Sequence, residues 1–291
     1  MRGGRRRRVP RFRAVVALIA ESGWPSDDLA ARVKQANAWA KERGMSAIDL
    51  GFTTGDAVLI TGAGSGIGRA TAVRAAELGL ALSLWDLNPE GLEETATQVR
   101  AVAPAVHTWV ADVSDDAAVS AGFADAAATL GPVRYLHNNA GPASASTLPF
   151  DRALEICVGS VRRVTDAWAA AGPGTGAAMV ATTSVAGNLV GTDSAWYSAA
   201  KAAIMGYVRH LAAHRAHEFR SNGVAPGMTD TPRLAGFASS ETGQRVLTRI
   251  PLKRMATPDD IAWATLFLLS PLAGYVNGVF LPVDGGWTVT Q

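Results

Sequence analysis

Ala57-Val58-Leu59-Ile60 runs directly into Thr61-Gly62-Ala63-Gly64-Ser65-Gly66-Ile67-Gly68. Four consecutive apolar residues read as a buried parallel strand. Beyond the glycines, Ala70, Val73 and Ala76 recur at helical spacing, with Arg69, Arg74 and Glu77 mostly on other faces. Strand, glycine turn and helix, in that order, are the context of a dinucleotide-binding fingerprint. Glycines let the backbone turn tightly and approach a pyrophosphate lying at the helix N-terminus. The spacing here is G-x-x-x-G-x-G, not the commoner G-x-G-x-x-G.

The next apolar run, Leu80-Ala81-Leu82-Ser83-Leu84-Trp85, ends at Asp86. A carboxylate at that point accepts both ribose hydroxyls of an adenosine and repels a 2′-phosphate. No Arg or Lys follows immediately, and Ser65, not a basic residue, precedes Gly66. Both features favour NAD(H) over NADP(H). Asn88-Pro89 supplies an N-cap and a first-turn proline for the following helix. Further strands are expected near 80–85, 106–110, 133–138, 177–183, 219–225 and 278–283. Helices are expected near 66–78, 89–102, 115–130, 148–171, 195–217, 233–248 and 258–269, the last opened by Thr257-Pro258-Asp259-Asp260. This alternation predicts an α/β fold, a doubly wound parallel sheet of about seven strands with right-handed crossovers.

Ser184, Tyr197 and Lys201 carry the chemistry. A tyrosine and a lysine four apart share one helix face. The ammonium lowers the phenol's pKa from its reference of about 10. A phenol so tuned exchanges a proton with an alcohol oxygen near neutral pH, and the serine hydroxyl holds that oxygen. Alone, such a pair occurs by chance on exposed helices; beside a nucleotide site it specifies a reaction.

Further motifs follow in order: Asp112-Val113, Asn139-Ala140-Gly141 after Tyr135-Leu136-His137, Pro226-Gly227-Met228-Thr229-Asp230-Thr231, and Val283-Asp284-Gly285-Gly286. With these, residues 53–291 resemble the short-chain dehydrogenase/reductase family. The resemblance implies a cofactor site built from Gly62, Ser65, Gly66, Ile67, Gly68 and Asp86. It implies adenine contacts from Asp112 and Val113, and cofactor lining by Asn139, Ala140, Gly141, Tyr197, Lys201, Pro226, Gly227, Thr229 and Thr231. The implied activity is NAD(H)-dependent interconversion of a secondary alcohol and a ketone. Tyr197 is then the acid/base, Lys201 lowers its pKa and holds the nicotinamide ribose, and Ser184 orients the substrate oxygen. A homotetramer or homodimer with the 148–171 and 195–217 helices as interfaces is also implied. One position departs: Cys157 aligns where the family carries a relay asparagine. A thiol is a poor hydrogen-bonding substitute, and a small buried apolar residue is the plainer reading.

Composition sets the remaining bounds. At 291 residues, 48% apolar and 18% charged, the chain is long enough and apolar enough for one large core. A single cysteine excludes a disulfide framework and a cysteine-based zinc site. His210, His214 and His217 read as a polar helix face or subunit contact, so no metal is expected. No stretch approaches the roughly 18 apolar residues of a membrane span; a cytoplasmic protein is expected, with no specific nucleic-acid partner. The net charge of +2 conceals seven arginines within residues 1–13, against 20 basic and 25 acidic residues in the remainder. That arm admits non-specific binding to polyanions, a twin-arginine export signal, or a dispensable or assembly-related extension. Residues 1–50 are read as an extension containing a helix from Ser26 to about Arg43, and 51–291 as one catalytic domain. The pocket is expected from Gly187–Ala195 and Arg233–Gln244; Leu189, Val190, Leu234 and Phe237 suggest a small apolar alcohol or ketone. Two other readings stand beside the first. One is a non-enzymatic nucleotide-binding or regulatory protein on the same fold. The other is a carrier-bound 3-oxoacyl reductase, which Asp86 opposes.

Overall fold

Seven strands alternate with helices in a computed structural model that describes residues 49–188, 192 and 194–290. The strands are β1 Ala57–Thr61, β2 Ala81–Asp86, β3 Val106–Val110, β4 Tyr135–Asn138, β5 Ala178–Thr182, β6 Arg220–Pro226 and β7 Phe280–Val283. The helices are α1 Gly66–Glu77, α2 Pro89–Val99, α3 Asp116–Leu130, α4 Phe150–Ala170, α5 Ala195–His214, α6 Glu241–Arg249 and α7 Pro258–Leu269. All pairings are parallel, in the order β3-β2-β1-β4-β5-β6-β7. The expected doubly wound sheet is therefore present. Leu50–Gln291 clusters as one compact unit.

Every residue of β1 is buried, and alternation sends its side chains to both faces. Val58 and Ile60 join Ala72, Ala75, Leu92 and Leu266 on one side. Ala57 and Leu59 join Trp85, Phe123, Val164 and Trp168 on the other. Fully burying a Leu or Ile side chain contributes about 1.5–3 kcal/mol, so both layers hold the sheet strongly. Phe52 lies just before β1 and packs edge-on against Tyr135, with ring centroids 5.1 Å apart.

The helix starts follow the local chemistry. Asn88 Oδ1 accepts from the backbone N–H groups of Glu90 and Gly91 at α2. Thr257 and Asp260 form a reciprocal capping box at α7. The expected helix over 233–248 is broken instead. Pro232–Leu234 and Phe237–Ser239 are single 3-10 turns, and only α6 is α-helical. Gly236 sits in the left-handed region at φ +76°, and Ser240 caps the new start at Glu241, its Oγ accepting from Gly243 N–H. The expected helix over 195–217 stops at His214. The expected helix from Ser26 and the arginine arm lie outside the described residues.

At the C-terminal end of α7, Ser270 caps the last turn locally, its N–H donating to Leu266 O and Phe267 O and its Oγ to Phe267 O, and a distant arginine takes the carbonyls beyond. Arg220, 48 to 56 residues earlier, donates to the carbonyls of Leu268, Leu269, Ser270 and Val276 at 2.8, 3.0, 3.0 and 3.3 Å. Burial pushes its pKa down from the ordinary guanidinium value, yet the fork satisfies four acceptors at once. Arg220→Met is expected to cost about 2–3 kcal/mol, the scale of losing hydrogen bonds to a charged group. The check is the chemical-denaturation midpoint; an unchanged midpoint would contradict the clamp.

Candidate active site

The strand order reverses beside β1: the chain runs outward through β2 and β3, then returns to β4 on the other side. The crevice at the carboxyl ends of β1 and β4 is where such sheets bind ligands. A cleft opens there. Its walls carry Gly62, Ser65, Gly66, Ile67, Asp86, Asn139, Gly141, Ser184, Tyr197, Lys201, Pro226, Thr229 and Thr231 of the sequence-expected residues. Gly68, Asp112, Val113, Ala140 and Gly227 are off its wall, and of these Gly68, Ala140 and Gly227 adjoin it in sequence. Gly68 and Ala140 flank wall residues. Asp112 and Val113 follow β3, and the preceding Ala111 N–H donates to Asp86 O.

The glycine turn is as tight as its sequence implies. A Cβ on Gly68 would lie 2.0 Å from Gly62 O. Ser65 N-caps α1 without a side-chain hydrogen bond, and no acidic residue occupies the first turn. The amides at this helix end therefore face the cleft without a competing anion. Asp86 Oδ2 accepts from Gly64 N–H at 2.7 Å and Oδ1 from Asn88 N–H at 2.8 Å. Arg69 braces the turn from behind: it donates to Gly64 O, to Gly91 O at 3.1 Å and to Thr95 Oγ1 at 2.9 Å, and pairs with Glu94 at 2.8 Å. Sequence reading placed Arg69 on a helix face without a task.

Asn139 ties the two halves together. Its Nδ2 donates to Thr61 O at 3.1 Å and Gly62 O at 3.3 Å, and its Oδ1 accepts from Thr182 Oγ1 at 3.1 Å. Thr61 Oγ1 accepts from the N–H groups of Asn139 and Ala140. Thr182 and Thr183, beyond the sequence-expected set, also line the cleft, as do Pro142, Ala143, Ser144 and Ala145.

Ser184, Tyr197 and Lys201 meet on one wall. Lys201 Nζ donates to Thr182 O at 2.8 Å and sits 5.5 Å from the Tyr197 ring centroid. Ser184 Oγ accepts from Ala186 N–H at 3.1 Å, which leaves its own proton to give. Cys157 is buried with Ala153, Trp196 and Ala200 beside this wall. Burial pushes its thiol pKa up, against the opposing pull of Lys201. Leu189 and Val190 lie outside the described residues. Leu234 and Arg233 line the cleft, whereas Phe237 does not.

A Ser-His-acid array lies elsewhere. Ser83 Oγ meets His107 Nδ1 at 3.0 Å, and His107 Nε2 meets Asp125 at 3.0 Å. Ser83 is fully buried and already accepts from Trp85 Nε1, so no substrate reaches it. Among the described residues, no three metal-ligating side chains gather into a group, and no helix is long and apolar enough to cross a membrane.

A family model described as enoyl-(acyl carrier protein) reductase matches residues 62–288. Levodione reductase of Leifsonia aquatica is 35% identical over 247 residues, 79% of this chain and 92% of its own. A crystal structure of levodione reductase matches with a TM-score of 0.72 over 82% of this chain and 100% of that one. Cis-4-hydroxycyclohexanecarboxylate dehydrogenase of Sinomonas cyclohexanicum is 37% identical over 79% of this chain and 95% of its own. The 7α-hydroxysteroid dehydrogenase of Escherichia coli strain K12 is 32% identical over 80% and 94%. A 7α-hydroxysteroid dehydrogenase complexed with NADH and 7-oxo glycochenodeoxycholic acid matches at TM-score 0.75 and 30% identity, over 82% of this chain and 99% of that one. The chain belongs to the short-chain dehydrogenase/reductase family. It is an oxidoreductase acting on CH–OH and C=O groups.

Gly187, which sequence reading assigned only to the pocket rim, does more. It ends the 3-10 turn after Ser184, where an added Cβ would lie 2.7 Å from both Lys201 C and Ala202 N. Only glycine lets the serine turn lie directly on α5. Gly187→Ala is expected to lower kcat about 10²-fold, the scale of a 1 Å misplacement, with NADH affinity held within a few-fold. Steady-state kinetics with NADH fluorescence titration checks it; an unchanged kcat would contradict the packing argument.

Proposed function

We propose that this chain is an NAD(H)-dependent dehydrogenase/reductase that interconverts a secondary alcohol and a ketone at Ser184, Tyr197 and Lys201. The single observation that carries the reading is one cleft lined by these three side chains together with the glycine turn and Asp86. The residues suit a dinucleotide: free amides at α1, glycines whose Cβ atoms would collide with backbone, and a carboxylate at the end of β2. Gly62, Ser65, Gly66 and Ile67 would hold the pyrophosphate, Asp86 the adenosine ribose, and Pro226, Thr229 and Thr231 the nicotinamide end. Asp112, Val113, Ala140, Gly141 and Gly227 would complete that binding surface.

When bound, NADH supplies the hydride that the carbonyl carbon receives, and NAD+ accepts it in the reverse direction. Ser184 Oγ, whose lone pair is engaged by Ala186 N–H, gives its proton as a hydrogen bond to the substrate oxygen. Tyr197 Oη transfers its proton to that oxygen as the C–H bond forms, converting ketone to alcohol; in oxidation it takes the proton back. Lys201 spends one N–H on Thr182 O. Its other two are available to ribose hydroxyls, and its charge stabilises the phenolate that Tyr197 becomes. Two relatives are named for ring-borne hydroxyls, a hydroxycyclohexanecarboxylate and a hydroxysteroid, so cyclohexanone and 4-oxocyclohexanecarboxylate head the substrate panel we would assay. A carrier-bound acyl reductase is the second reading, favoured by the family model's description and opposed by the Asp86 preference for an unphosphorylated ribose.

We further read residues 51–291 as the catalytic domain and 1–50 as an extension outside it. The protein is read as cytoplasmic and as a homotetramer or homodimer, on the strength of the family resemblance.

Two measurements test this reading. NAD(H) is expected to be used at least about 10²-fold better than NADP(H) in kcat/KM, because a 2′-phosphate beside Asp86 is a like-charge juxtaposition costing several kcal/mol. Asp86→Ala should narrow that gap, and equal use of both cofactors by the wild type would overturn it. Tyr197→Phe should lower kcat about 10² to 10⁴-fold while NADH still binds; a variant with most of its activity intact would refute the assignment.

A further inference from the structure

His137 takes no part in the mechanism above, yet it is wholly buried in β4 beneath the cleft. Its Nε2 meets Thr182 Oγ1 at 2.9 Å, and its Nδ1 has no hydrogen-bond partner. Burial pushes its pKa down to about 3, so the ring is neutral wherever the enzyme works. A buried polar atom left unpaired is costly, and an apolar side chain at this position would avoid the cost.

The neighbours fix where the single ring proton lies. Asn139 Nδ2 donates to the carbonyls of Thr61 and Gly62, so Asn139 Oδ1 can only accept. The proton it accepts comes from the Thr182 hydroxyl. Thr182 Oγ1 must then accept from His137, which places the proton on Nε2 and a bare lone pair on Nδ1. The hydrogen bonds thus run one way, from His137 to Thr182 to Asn139 to the glycine turn. Thr182 is held a second time through its own carbonyl, which accepts from Lys201 Nζ.

We propose that His137 is a positioning residue for the reaction: as a fixed Nε2–H donor it orients the Thr182 hydroxyl, and through Thr182 it registers Lys201 and the glycine turn against each other. The inference rests on the reading of Tyr197 and Lys201 as the acid–base pair. An apolar side chain at 137 would free the Thr182 hydroxyl to rotate, release Asn139 Oδ1 and loosen both holds. A purely structural histidine would contribute stability without this link to the cofactor side and the lysine side together.

The test compares His137→Val, His137→Gln, Thr182→Val and Thr182→Ser, with NADH binding by fluorescence and kcat on cyclohexanone. His137→Val and Thr182→Val should each lower kcat about 10- to 100-fold and weaken NADH binding several-fold. His137→Gln and Thr182→Ser, which retain a donor and a hydroxyl, should recover most of both. The two valine changes combined should be no worse than one, because they break the same chain. ¹⁵N NMR of the wild type should show a neutral His137 protonated at Nε2 from pH 5 to 9. Wild-type kcat and NADH binding in either valine variant, equal losses in the conservative variants, or a proton on Nδ1 would overturn the proposal. If His137→Val does not fold, the Thr182 pair and the NMR measurement decide. Full activity in Tyr197→Phe would instead sink the acid–base reading, and the tautomer and NADH results would still stand apart from it.

Discussion

The approach of Gly68 to Gly62 is the constraint on which the site depends. No side chain fits between the last residue of β1's turn and the first turn of α1, since a Cβ on Gly68 would sit 2.0 Å from Gly62 O. Because the turn closes so far, the N-terminal amides of α1 point into the crevice where the strand order reverses. The same closure leaves room for Asn139, whose Nδ2 would lie 2.9 Å from a Cβ on either glycine. Asn139 in turn carries the hydrogen bonds that join β1, β4 and β5 at their carboxyl ends. One steric fact at the turn therefore sets both the cofactor cradle and the cross-strand network behind the reacting side chains.

Elements whose causes are local were legible in the sequence. β1 starts with its apolar run at Ala57, β3 spans the expected residues 106–110, and α7 begins at its capping box. Most of the cofactor-side residues also reached the cleft wall. What was not legible depends on contacts far along the chain. Arg220 caps a helix about 50 residues away, and no periodicity announces such a clamp. Gly187 reads as a loop glycine until α5 is seen against it. The segment after Thr231 carries a helical pattern, yet Gly236 in a left-handed conformation and the Ser240 cap divide it. Asp86 was read for its carboxylate alone. The structure adds that both oxygens already accept backbone N–H groups, which fixes the carboxylate's direction before any ribose arrives.

The two polar triads of this chain show what separates a reactive constellation from a structural one. Ser83, His107 and Asp125 are the residue types of a nucleophilic site and lie at hydrogen-bonding distances. The capacity of the serine and histidine is spent internally: Ser83 Oγ accepts from Trp85 and meets His107, and the serine has no exposure. Ser184, Tyr197 and Lys201 are less tightly linked to one another. Ser184 and Lys201 are fixed by the fold through only part of their hydrogen-bonding capacity, Ser184 by Ala186 N–H and Lys201 by Thr182 O. The remaining capacity faces a cleft that also holds the glycine turn. Chemistry requires that unspent remainder, because a substrate oxygen in transition must find donors not already committed. The His137–Thr182–Asn139 chain commits the Thr182 hydroxyl and the Asn139 amide within the fold, whereas Ser184 and Lys201 beside it keep donors for the substrate and cofactor.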